Sequence, residues 1–151
     1  MKHKPTRRSH YSDGLRIYYL DWGGNSKKQM LLIHDLGDSS RTWDLISAKF
    51  REDYRVFSVE LRGHGHSDRP SDPNYRFEDF YGDISSLAAS LKLDKAVVIG
   101  HGAGSRLAAK FSANNPDHFL YCMTQWILFI VHDPRPLLKC RLERMDPRQS
   151  A

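Results

Sequence analysis

Val97-Val98-Ile99-Gly100-His101-Gly102-Ala103-Gly104 is the stretch on which the fold turns. Its apolar start continues Ala96 without polar alternation, the pattern of a strand covered on both faces of a parallel sheet. Gly100 and Gly104 stand two residues before and two after Gly102. That spacing suits a sharp strand-to-helix turn, where the two backbones approach too closely for side chains and the central position is left exposed. A helix from Ser105 to Asn114 should follow, stopped by Asn115-Pro116.

Outward from this turn, strands and helices alternate. Leu15 to Asp21 reads as a strand closed by Gly23-Gly24-Asn25, predicting a first hairpin there. Met30 to Ile33 is a short apolar run that meets a polar loop from His34 to Ser40, and Thr42 to Phe50 reads as a short helix. Tyr54 to Val59 is another strand, entering a loop from Glu60 to Pro73 dense in Gly, His, Asp and Pro. From Phe77 the apolar positions fall at 77, 80, 81, 84, 87, 88 and 91, the three-and-four spacing of a helix with one buried face. Beyond the Gly102 turn and its helix, Trp126 to Val131 reads as one further strand. The expected class is α/β, a doubly wound and mostly parallel sheet.

The net charge of +5 suggests nucleic acid until it is mapped along the chain. Lys2, Lys4, Arg7 and Arg8 lie in the first ten residues, and Pro134 to Ala151 carries five basic side chains against Glu143 and Asp146. The middle, Tyr11 to Asp133, holds 14 basic and 16 acidic residues. A basic body is excluded, and the ends do not interleave charge with stacking aromatics, so no nucleic-acid partner is expected. Residues 1–12 and 132–151 read as basic tails, the first of them flexible, flanking one domain over 13–131. Trp126 to Val131 is six residues long, far below the roughly 20 that span a bilayer, so no membrane partner is expected. With two cysteines, Cys122 and Cys140, and no leading apolar stretch, the reading is a reducing, cytoplasmic setting.

Three motifs in order, from Asp13 to about Phe119, resemble the α/β-hydrolase family, especially its epoxide-hydrolase, haloalkane-dehalogenase and esterase-like branch. Leu31-Leu32-Ile33-His34-Asp35-Leu36-Gly37, with Trp43 behind it, is similar to the family's His-Gly oxyanion loop. Glu60-Leu61-Arg62-Gly63-His64-Gly65-His66-Ser67 is similar to its Asp-x-Arg-Gly-x-Gly-x-Ser loop. Gly100 to Gly104, with His101 before the central residue, resembles its nucleophile elbow. The resemblance implies a partial α/β-hydrolase fold, truncated after the elbow helix and one further strand. It also implies hydrolysis of ester, epoxide, lactone or carbon-halogen bonds as the ancestral chemistry, no cofactor, and an oxyanion hole built from the backbone N–H groups of Leu36 and Ala103.

The departures bear on that chemistry. Gly102 occupies the nucleophile position and offers no oxygen or sulfur for a covalent intermediate. Ser105 is placed as an early helix residue capping the first turn rather than as a substitute. The family order puts an acid and a histidine well beyond the elbow, and after Gly102 the sequence has only His118 and His132. Asp117-His118 falls at the far end of the elbow helix, away from the strand C-termini. His132, beside Asp133, is a weak catalytic candidate because neighbouring side chains on a strand point to opposite sides. Asp35 replaces the family's glycine, which threatens a backbone angle available only to Gly and sets a carboxylate beside the oxyanion hole.

His64 and His66 invite a metal reading, but no cysteine or carboxylate accompanies them at metal-ligand spacing, and no metal is expected. The leading reading is a catalytically inactive hydrolase-superfamily fragment that self-associates through an uncovered sheet edge. The alternative is a non-enzymatic module binding a small molecule or protein, resembling the N-myc downstream-regulated proteins, which likewise carry glycine at the elbow.

Overall fold

The computed structural model describes residues 4–72, 75–116 and 119–124. One six-stranded sheet runs through it in the order β1-β2-β4-β3-β5-β6. Strand β1 (Thr6–Ser12) and β2 (Leu15–Asp21) form an antiparallel hairpin, and β2 pairs antiparallel with β4 (Arg55–Val59). From there the sheet is parallel: β4 with β3 (Gln29–Ile33), β3 with β5 (Ala96–Gly100), and β5 with β6 (Phe119–Thr124).

The central strands are apolar on both faces, and the fold uses both. Leu31 and Ile33 of β3 join Phe57, Val59 and Val98 in a core sealed by helix α2 (Phe77–Ser90) through Ile84 and Leu87, and by helix α3 (Ala103–Asn114) through Leu107 and Phe111. The alternate residues Met30 and Leu32 face the other way, with Leu20, Trp22, Val56, Val97 and Trp43. Trp43 closes a single 3-10 turn (Ser40–Trp43) that runs into helix α1 (Asp44–Phe50). Burying a side chain such as Ile84 or Leu87, both fully inaccessible, contributes about 1.5–3 kcal/mol, so the 77-to-91 periodicity reports the main attachment of α2 to the sheet.

The structure is therefore a partial α/β-hydrolase fold of the expected doubly wound class, with three corrections. The basic segment read as a flexible tail through residue 12 is strand from Thr6, registered against Leu15–Asp21. The first hairpin lies before that strand: Asp13 and Gly14, both at positive φ, make the tight turn, whereas Gly23-Gly24 leads on towards β3. The strand after α3 is Phe119–Thr124, ahead of the expected Trp126–Val131. Trp126–Val131, Asp117-His118, His132-Asp133 and the basic stretch 132–151 lie outside the described residues.

Candidate functional site

Parallel strands β3, β4 and β5 end on one edge of the sheet, and the loops that follow them meet there. The turn after β5 keeps the close backbone approach that its sequence implies. A Cβ on Gly100 would collide with the carbonyl of Gly104, and one on Gly104 with the carbonyls of Ile33 and His34. His101 N–H donates to Ile33 O at 3.0 Å, fastening the turn to β3. Gly102 stands at φ +53°, the strained conformation that leaves the central residue of such a turn exposed. Ser105 is a helix residue, its hydroxyl donating to Gly102 O at 2.6 Å.

Asp35 fills the space in front of Gly102. One of its oxygens, Oδ1, accepts both Leu36 N–H at 2.8 Å and Ala103 N–H at 2.6 Å. These are the two donors that the resemblance assigns to an oxyanion hole, and they converge on a single anionic atom. A Cβ on Gly102 would fall inside the Asp35 carboxylate group. The Ala103 N–H, the largest influence, holds the Asp35 carboxyl below the usual aspartate range; desolvation opposes it, and the Leu36 N–H adds to the lowering. Replacement of glycine by Asp35 strains no backbone: positive φ among the described non-glycine residues is confined to Asp13, Lys92 and Lys95, and in this loop it falls on Gly37.

Two histidines back this loop with both ring nitrogens engaged. Buried His34 donates from Nδ1 to Asp35 O at 2.6 Å and accepts Leu61 N–H on Nε2 at 3.0 Å. His64 donates from Nδ1 to Arg62 O at 2.9 Å and accepts Gly37 N–H on Nε2 at 3.0 Å. A ring that must accept on one nitrogen and donate on the other is neutral and has a fixed tautomer. Burial, the largest influence, pushes the His34 pKa below its ordinary value. Neither Nε2 lone pair is free to take a proton from substrate or to ligate a metal.

Sequence reading missed the acidic residues beneath these loops. Buried Glu60 directly follows β4; its Oε1 accepts the Ser40 hydroxyl at 2.8 Å and its Oε2 accepts His66 N–H at 2.6 Å. Gly65 makes room for it, since a Cβ there would lie 2.5 Å from the Glu60 carboxyl carbon. Arg62 and Asp83 form a bidentate pair at 2.7 and 2.8 Å, exposed by only 2% and 1%. The signal was present in α2, where Asp83 sits between Phe80 and Ile84 on the apolar face and therefore needs a buried cation.

A family profile for the alpha/beta hydrolase fold matches residues 28–139. The chain belongs to the α/β-hydrolase fold family. Mouse epoxide hydrolase 4 is 31% identical over 124 residues, which are 82% of this chain and 33% of that protein. Non-heme chloroperoxidase of Streptomyces lividans is 35% identical over 103 residues, 68% of this chain and 37% of that one. Among solved structures, an alpha/beta hydrolase from Novosphingobium aromaticivorans superposes with a TM-score of 0.77 at 27% identity, covering 82% of this chain and 44% of its own. The chain thus spans about a third of the length of the curated relatives it matches. In this α/β-hydrolase the elbow backbone is present, its central side chain is a hydrogen, and a carboxylate from the β3 loop stands in its place.

Proposed function

We propose that this chain is an α/β-hydrolase-fold protein that does not turn over the family's substrates, because its own carboxylate occupies the anion site. The observation that carries the reading is the double acceptance by Asp35 Oδ1 of the Leu36 and Ala103 N–H groups. Acyl transfer needs those donors for the oxygen that becomes negative in the transition state. A bound carboxylate saturates them and repels a second negative charge. Gly102 supplies no nucleophile, and the Nε2 lone pairs of His34 and His64 are spent on backbone N–H groups. The chemistry from which it derives is hydrolysis of ester, epoxide, lactone or carbon-halogen bonds.

The same proposal includes a cytoplasmic setting, drawn from the two cysteines, and self-association through a sheet edge. No helix among the described residues is long and apolar enough to cross a membrane. A binding role without chemistry is the second reading, favoured by Leu36, which is 57% exposed beside the elbow and offers apolar contact to a small ligand.

p-Nitrophenyl acetate hydrolysis by the purified chain tests the proposal, with Gly102→Ser beside it. Both should match the buffer rate within the scatter of the assay. Sustained turnover by the unaltered chain that disappears in Asp35→Asn would overturn it.

A further inference from the structure

Strand β1 ends the sheet: among the described residues it pairs with β2 on one side and with no strand on the other. The tight Asp13-Gly14 turn makes Ser12 and Leu15 a mutually hydrogen-bonded pair, and along an antiparallel ladder bonded and non-bonded pairs then alternate. Arg7, Ser9 and Tyr11 are left with their N–H and C=O groups pointing away from β2. The residues opposite fix the same phase. Arg16 and Tyr18, across from Tyr11 and Ser9, turn their main-chain groups away from β1: their N–H groups donate to Asp68 Oδ2 and Ser67 Oγ, and their carbonyls accept from Asp68 and Glu60 N–H. All three edge residues are exposed, Tyr11 by 66%, and alternation along the strand puts their side chains on one face.

We propose that this edge is a homodimer interface in which β1 pairs antiparallel with β1 of a second copy, across a two-fold axis at Ser9. The inference rests on the reading that the chain self-associates through a sheet edge, and it assigns the edge and the register. The edge is self-complementary about Ser9. With Ser9 opposite its own copy, Arg7 lies opposite Tyr11 of the partner subunit, and Tyr11 opposite the partner's Arg7. Every outward N–H and C=O of the three residues then finds a mate, and each Arg7 guanidinium meets an exposed aromatic ring. Charge on an edge strand ordinarily resists such pairing, but here it is accommodated. Arg8 is already matched by Asp21 at 3.1 Å. The two Arg7 side chains are separated by the Arg7-to-Tyr11 length of strand, about 13 Å, beyond the screening length of about 8 Å at physiological salt. Other registers lose these features. Centring on Arg7 sets like charges face to face and brings Ser9 opposite Pro5, which has no N–H. Centring on Arg8 sets that cation opposite its own copy.

Sedimentation equilibrium of the unaltered, reduced chain, combined with oxidative cross-linking of Ser9→Cys and Thr6→Cys, tests the assignment, with peptide mass spectrometry identifying the joined cysteines. The unaltered chain should sediment as a reversible dimer. In the proposed register the two Ser9 Cα atoms lie about 5.5 Å apart, within reach of a disulfide, whereas the two Thr6 positions are separated by about 20 Å. Ser9→Cys should therefore form its symmetric disulfide about tenfold or more faster than Thr6→Cys. Both positions are exposed on the same strand, so a change in folding or in collision rate does not separate them. A dimer in which Thr6→Cys cross-links as fast as Ser9→Cys or faster overturns the β1 assignment and leaves self-association through another surface standing. A chain that stays monomeric at every concentration overturns both.

Discussion

Asp35 and Gly102 share one volume: the carboxylate of the first lies where a Cβ on the second would be, and Ala103 N–H, next in the chain, donates to that carboxylate at 2.6 Å. The glycine at the nucleophile position and the aspartate in the facing loop are sterically one feature, because either alone is incompatible with the family's usual partner. A side chain at 102 requires Asp35 to leave.

Serine at 102 should therefore destabilise the chain through two separable effects. The backbone cost of a non-glycine residue at φ +53° is about 1–3 kcal/mol, and displacement of the carboxylate adds to it. Asp35→Gly removes the second effect and leaves the first. Urea melts of Gly102→Ser alone and combined with Asp35→Gly should show a smaller loss in the double variant, relative to Asp35→Gly itself. Equal losses in both backgrounds would mean that the residues are independent.

Removing the Asp83 carboxylate takes from the buried Arg62 guanidinium its bidentate partner. Asp83→Leu should cost about 3–5 kcal/mol, while adding Arg62→Met should recover part of that loss, since an apolar pair of similar volume needs no compensation. Chemical denaturation measures this directly. A double variant less stable than Asp83→Leu would show that Arg62 stabilises the fold through contacts other than its carboxylate partner.

Acid sensitivity should begin near pH 6.5 rather than in the carboxylate range. His34 is neutral in the fold and its pKa is lowered by burial from an ordinary 6.5. Above that pH both folded and unfolded forms are neutral and the contribution is complete. As pH falls below it, the unfolded chain binds a proton that the folded chain refuses, and stability declines until the folded pKa is passed. Thermal melts from pH 7.5 to 5 should show the decline, and His34→Asn, which keeps one donor and one acceptor, should flatten it. An unchanged slope in that variant would assign the loss to other groups.

Much of this was legible in the sequence, and the remainder was not for identifiable reasons. The strand Ala96–Gly100, the glycine-framed turn and helix α2 follow from unbroken apolar runs and helical spacing, signals that burial on both sheet faces makes strong. Strand β1 reads as tail in the sequence because it is an exposed edge strand whose Arg7 and Arg8 resemble solvated charge, although Asp13-Gly14 is a strong hairpin signal. The Gly102 vacancy was plain from the alphabet alone. Its occupant was not: Asp35 meets Ala103 across 68 residues, and whether its carboxylate lies beside the anion site or within it depends on a side-chain direction that no spacing encodes.

The occupied anion site is tested most directly by the amide resonances of Leu36 and Ala103 followed through an acid titration by two-dimensional nitrogen-proton spectroscopy. Both N–H groups donate to one carboxylate oxygen, so both proton signals should lie downfield and move upfield together as Asp35 is protonated. Their shared midpoint should fall below the ordinary aspartate value, because the two hydrogen bonds favour the charged form. Asp35→Asn should abolish the transition at both amides. Two amides that titrate separately, that titrate at the ordinary aspartate value, or that do not respond at all would contradict the account.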